Sequence, residues 1–226
     1  MTLLPIDVPS TLARIEGAVL ALGGDVAVCE LGPPATEAQV HAVERQIART
    51  LPDGLRRLFL EQSGSVRMFW TLEPGGLLPE VLGESLGGAI DVSLTELPVS
   101  MLNWSGWRAA FEDPAAHDWP TELTVDVYEH LFPLLAVGNG DQIVVVEPED
   151  PVNEIAYLNH EGGDFDFVVL ADSLEAFLET WVALGCPGPE WWELAKFLDP
   201  KTSKLSLKTR PSKVWLKALS SATRPG

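Results

Sequence analysis

Between residues 143 and 182 short apolar runs alternate with polar turns and then give way to one amphipathic helix, and this pattern restricts the fold most. Ile143–Val146, Ile155–Leu158 and Phe165–Leu170 are built largely from β-branched, aromatic and aliphatic residues, the composition of strands. The links between them are polar and hold Pro, Asn, Asp and Gly, so the runs fold back on one another as an antiparallel meander. Ile143–Val146 is apolar throughout, as a strand buried on both faces would be. Asp172 and Glu175 then open a helix with Leu174, Phe177, Leu178, Trp181 and Val182 on one side. Gly185 and Pro187 close it.

Helical spacing also marks the start of the chain. Ser10–Leu22 carries Leu12, Ile15, Val19 and Leu22 at helical intervals, with Ser10 as the expected N-cap and Gly23-Gly24 as the stop. Gly17–Leu31 is apolar, but Asp25 interrupts it and it is too short to span a bilayer. After Gly32-Pro33-Pro34, Thr36 and Gln39 have the spacing of a capping box ahead of Val40, Val43 and Ile47. Leu51-Pro52 breaks that helix and starts another, with Leu55, Leu58 and Phe59 as its apolar face and Gly64 as its end. Val66–Leu72 and Ala89–Leu94 read as strands. Leu102, Trp107 and Phe111 suggest a helix ended by Asp113-Pro114, and Thr121–Leu131 fits helix or strand. Pro189–Leu198 is expected to be helical, with Trp191, Leu194, Ala195 and Leu198 on one face. Strands in the middle with helices before and after predict an α+β fold, a mostly antiparallel central sheet with flanking helices at both ends.

Charge divides the chain unevenly. Residues 1–200 hold all 33 Asp and Glu but only 8 of the 15 Lys and Arg, a formal charge of −25. Residues 201–226 hold the other seven cations and no acid. The division expected is a domain over 1–200 and a basic C-terminal tail over 201–226. A body this acidic repels phosphate backbones and favours a basic protein partner met by electrostatic steering. The tail is expected to fold back on the body through Val214–Leu219 with Trp215 as anchor; a nucleic-acid or anionic-membrane contact is the alternative. Cys29 and Cys186 form no disulfide framework or zinc spacing, which points to a reducing, cytoplasmic setting. The first residues lack the basic start and apolar run of a signal peptide.

Chemistry-bearing motifs are sparse. Gly138-Asn139-Gly140-Asp141 lies between two expected strands, where glycine and Asp suit a tight hairpin; no Lys or Ser/Thr follows as a phosphate loop requires. His160-Glu161 would do acid–base work only with a cleft and a third group, and a polar turn is the simpler reading. His41, His117 and His130 are scattered, so no metal and no cofactor is expected. Of the eight tryptophans, Trp181, Trp191 and Trp192 are expected in the core and at least one of Trp104 and Trp107 at the surface. Acidic residues on the turns of the meander are the candidate partner-binding set: Asp141, Glu147, Glu149, Asp150, Glu161 and Asp164.

Two stretches together carry a resemblance. Thr36–Gly64 (TEAQVHAVERQIARTLPDGLRRLFLEQSG) has two short helices joined by Leu-Pro, and Phe132–Trp181 has the Gly138–Asp141 turn, a hydrophobic strand and the Asn159-His160-Glu161 turn. They resemble the SMI1/KNR4 (SUKH) superfamily over 36–182, with the chain's own elaboration between 73 and 130. Asn159 stands where the family usually has an acid. The resemblance implies a SUKH-like fold and, as for most bacterial members, an immunity protein that neutralises a nuclease or deaminase toxin by direct binding, with no catalytic residues. A cytosolic scaffold like the fungal members of cell-wall signalling is the alternative. An enzyme is the third and weakest reading.

Overall fold

The computed structural model describes residues 6–73, 77–113, 123–147, 154–161 and 167–222. The first helix, α1 (Val8–Ala21), begins earlier than its apolar spacing suggests. Asp7 is the N-cap, and its carboxylate accepts the Ser10 amide at 2.9 Å and the Ser10 hydroxyl at 2.8 Å. Ser10, expected as the cap, therefore sits within the first turn, because Pro9 is tolerated there and lets the helix start ahead of it. Helix α2 (Glu37–Ile47) opens with the expected capping box between Thr36 and Gln39. Helix α3 (Asp53–Arg57) follows Pro52 and runs on into a single π-turn over Leu58–Gln62. That turn aims the Gln62 amide at the start of the chain, where it accepts from Val8 N at 2.8 Å and donates to Ile6 O at 2.7 Å.

The α+β architecture stands, with its strands in two antiparallel sheets where one central sheet was expected. The first sheet has the order β1 (Asp25–Leu31), β2 (Ser65–Leu72), β3 (Leu86–Ser93). The second is a meander of β4 (Leu131–Ala136), β5 (Gln142–Val146), β6 (Ile155–Leu158) and β7 (Phe167–Ala171). Strand β1 was not expected, being hidden in the apolar run after α1. Strand β4, expected ahead of the Gly138–Asp141 turn, begins at Leu131, where the ambiguous 121–131 stretch ends. Within that stretch α6 (Val125–Glu129) is helical. Helices α4 (Leu97–Ser105) and α5 (Arg108–Glu112) precede the second sheet, and α7 (Leu174–Ala183), α8 (Trp191–Leu194) and α9 (Arg210–Ala222) follow it.

Burial explains why the sheets differ in sequence pattern. The second sheet is covered on both faces. Ile143, Val145, Ile155 and Tyr157 join the main core, while Val144, Ala156 and Leu158 pack against Trp104, Phe111 and Tyr128 of the α4–α6 layer. A strand with apolar neighbours on both sides has no polar alternation to show. The first sheet buries one face only. Val66, Met68, Trp70 and Leu72 of β2 point into the core, and Arg67, Phe69 and Thr71 alternate to the outside. Trp181 is buried as expected, Trp191 half-buried, and Trp192 59% exposed, contrary to expectation. Trp104 is buried and Trp107 half-buried.

Residues 201–222 close the main core. Trp215 is fully buried, stacks on Trp70 with ring centroids 5.7 Å apart, and donates its Nε1–H to Leu184 O at 2.7 Å. Leu219 is fully buried beside α1, and Leu205 N donates to Leu170 O at 2.9 Å. Trp215 is thus the expected anchor, held far more firmly than a loosely docked tail would be. Lys213 and Lys217 remain exposed on the outer side of α9, and Lys204 pairs with Asp172.

Gly88 of β3 makes room for this stack. A Cβ there would overlap the Trp70 indole at Nε1 and Cε2, and Trp70 is fixed by its own Nε1–H to Gly185 O at 2.6 Å. Gly88→Ala is expected to destabilise by about 1–3 kcal/mol, the range for overpacking a filled core. A urea midpoint unchanged from the wild type would contradict this.

Candidate functional site

The β4–β5 hairpin turns through Val137–Asp141, closed by Val137 N to Asp141 O at 2.9 Å and Gly140 N to Val137 O at 3.0 Å. Gly140 has φ +107°, and a Cβ on it would lie 3.3 Å from the His160 ring. The backbone therefore favours glycine, and the His160 ring would have to give way to any side chain. Asn139 braces the turn, accepting from Asp141 N at 3.1 Å and donating Nδ2–H to Asp141 Oδ2 at 2.7 Å.

Asp141 joins this turn to the end of β6. Its Oδ2 also accepts the Tyr157 hydroxyl, and its Oδ1 accepts the His160 amide at 3.0 Å and the His160 Nδ1–H at 2.7 Å. The side chain is buried, with the residue only 2% exposed. Burial by itself would raise its pKa, but the donors from Tyr157, His160 and Asn139 outweigh it and hold the carboxyl below its ordinary value. Burial, then the hydrogen bond to the Asp141 carboxylate and its charge, push the Tyr157 hydroxyl up, so it stays a proton donor.

A histidine oriented by a buried aspartate is also the base-and-orienter half of a hydrolytic triad. The other half requires a hydroxyl or thiol within hydrogen-bond reach of the outer nitrogen. His160 Nε2 instead lies 3.7 Å from Glu161 Oε1, and among the described residues no hydroxyl or thiol is hydrogen-bonded to it. The two thiols are poor nucleophiles: burial and then Glu16 push Cys29 up to about 11, and complete burial pushes Cys186 up further. What the cluster does in this geometry is pin two turns together. Among the described residues no group of three or more His, Cys, Asp or Glu side chains is placed to hold a metal ion, and no helix is long and apolar enough to cross a membrane.

The candidate acids have different fates. Glu161 is exposed at the tip of its turn, with its side chain 79% accessible. Glu147 is half-buried and paired with Arg49, which also donates to Leu131 O at 2.7 Å. Asp141 is withdrawn from the surface altogether, because a carboxylate facing four donors is more stable inside than a solvated one. Glu149, Asp150 and Asp164, with His117, lie outside the described residues. The motif residues Gly138, Asn139, Gly140, Asp141, His160 and Glu161 do come together.

Glu190, the N-cap residue of α8, was missed. A Cβ on Gly138 would lie 3.4 Å from its Oε1, so it stands beside the hairpin turn although about fifty positions separate the two in sequence. The Trp191 ring next to it packs 5.1 Å from Tyr157. Nothing local in the sequence signals this meeting.

Cations within the body are largely consumed. Arg49, Arg56, Arg57, Arg67, Arg108 and Lys196 each form ion pairs with Asp or Glu. Six of its eight basic residues are thus neutralised locally, and the surplus carboxylates define the field outside. No family model matches the chain, and no curated protein is similar to it at a significant level.

Proposed function

We propose that this protein is a non-enzymatic binding module that engages a basic protein domain through its acidic surface. By its resemblance to SUKH proteins, that domain is a nuclease or deaminase toxin that the chain neutralises in the cytoplasm. The observation that carries the reading is the −18 formal charge of the chain, −25 over residues 1–200, together with the local pairing of most of the cations in 1–200. Surplus negative charge steers a basic partner and repels nucleic acid, so the partner's own basic cleft is the complementary surface. The braced Val137–Asp141 and Asn159–Glu161 turns give that surface a rigid edge. The alternative, a cytosolic scaffold of the SMI1/KNR4 type, shares the surface and differs in the partner. A toxin gene adjacent to this one favours neutralisation.

The test is association kinetics with a purified basic nuclease or deaminase toxin domain taken from a gene neighbouring this one. Charge reversal at Glu149, Asp150 and Glu161 is expected to slow association roughly tenfold at low salt and to flatten its salt dependence, because steering is screened by ions. Rates unchanged across the salt series would place the interface elsewhere.

A further inference from the structure

The outward face of the first sheet is uneven. Near its centre Arg67 is held between Glu30 at 3.0 Å and Asp91 at 3.3 Å. One cross-strand row along, the face sinks into a groove of about 210 Å³. Phe69, half-buried, lies in this groove among Ala27, Gly87 and Ala89, which carry a methyl group or no side chain and leave part of its ring accessible. Asp25 and Glu190 also line it. Among the described residues neither carboxylate has a hydrogen bond or an ion pair, and neither a ring nor a cation stacks on Phe69. Glu190 also stands beside Gly138 of the Val137–Asp141 turn.

The volume is below the roughly 300–1,000 Å³ of small-molecule sites, and suits one side chain. An aromatic face with two unneutralised carboxylates attracts a planar cation. The same chain satisfies such cations elsewhere. Arg49 lies over Phe132 at 5.3 Å while pairing with Glu147, and Arg108 lies over Tyr128 at 5.9 Å while pairing with Glu129. At the groove the ring and the acids are present and the arginine is not supplied by any described residue.

We propose that this groove receives an arginine side chain of the basic protein partner, its guanidinium on the Phe69 ring and its N–H groups on Asp25 and Glu190. The inference rests on the basic-partner reading for the identity of the occupant. Arginine is favoured over lysine because its guanidinium stacks and donates along two edges, whereas an ammonium is a compact, strongly hydrated charge.

The experiment is a titration of the full chain, followed by amide NMR shifts, with N-acetyl-arginine methylamide and with its lysine counterpart. Saturable shifts at Phe69, Gly87 and Ala89 are expected with the arginine probe, at an affinity roughly threefold or more above the lysine probe. Asp25→Asn with Glu190→Gln, and separately Phe69→Leu, should abolish saturation while leaving the rest of the spectrum in place. The same variants should raise the Kd of the basic toxin domain roughly tenfold or more, as loss of an interface anchor does. Shifts spread over the whole acidic surface, or equal for the two probes, would overturn the groove. An unchanged Kd for the toxin domain would also overturn it and leave the basic-partner reading intact. Saturation by the arginine probe with no basic domain bound would support the groove and refute that reading. A concentration-dependent dimer broken by Phe69→Leu would assign the groove to a second copy of this chain and overturn the occupant named here.

Discussion

Trp215→Ala is expected to lower the free energy of unfolding by about 3–5 kcal/mol, the range for removing a large buried aromatic. The indole is fully buried, stacked on Trp70, and satisfies Leu184 O with its N–H. Alanine would leave a cavity against Trp70 and an unpaired carbonyl at the end of α7. Neither defect can be relieved by movement of α9 alone, since Leu219 holds the same helix to α1. Deleting 201–226 removes Leu205 and Leu219 as well, and approaches the whole stability of a typical domain, about 5–15 kcal/mol. Urea unfolding of both variants measures this. A shift below about 1 kcal/mol for Trp215→Ala would show that α9 is a loosely held extension. The basic segment is thus part of the core, and its charges are presented from a fixed helix.

Asp141→Ala is expected to cost about 3 kcal/mol at neutral pH. Hydrogen bonds to a charged group contribute about 1.5–3 kcal/mol each, and a buried donor left without its acceptor costs about 1–3 kcal/mol. The Tyr157 hydroxyl would be that donor, whereas the partly exposed His160 ring can turn to water. The effect depends on pH with a definite sign. The carboxyl is held below its ordinary value in the folded protein, so its contribution is full above the unfolded pKa of about 3.9 and is lost as pH falls below it. Melting curves of wild type and Asp141→Asn should therefore differ clearly at pH 7 and converge as pH drops below about 4. A difference that persists unchanged into acid would mean that Asp141 is not the charged acceptor at this node.

The parts of this fold that the sequence showed are those where one physical signal acts alone. Thr36 and Gln39 form a capping box because three-residue spacing suffices to close it. Ile155–Leu158 matches its strand end to end because polar residues flank it on both sides. Strand β1 escaped because α1 and β1 form one largely apolar run broken only briefly at Gly23, Gly24 and Asp25. The division into two sheets is a tertiary choice that no local pattern reports.

The candidate site was legible to the same degree. Gly140 and Asp141 read as a turn, and they form one. Charge density on loops, however, does not separate a solvated acid from a carboxylate pulled inside by four donors, and Asp141 proved to be the second kind. Phe69 was visible in principle. In β2 the residues Val66, Met68, Trp70 and Leu72 alternate inward, which puts Phe69 on the face with Arg67 and Thr71, an aromatic where a polar residue is the norm. Glu190 could not be read, because only the fold brings it to the hairpin.

The most direct measurement titrates the full chain against a purified basic nuclease or deaminase toxin domain from a gene neighbouring its own, and follows the catalytic activity of that domain. Neutralisation by an acidic binding surface predicts that activity falls to baseline at one equivalent in low salt, and that added salt weakens the complex and restores activity. Full toxin activity with the chain in excess at low salt would contradict that account.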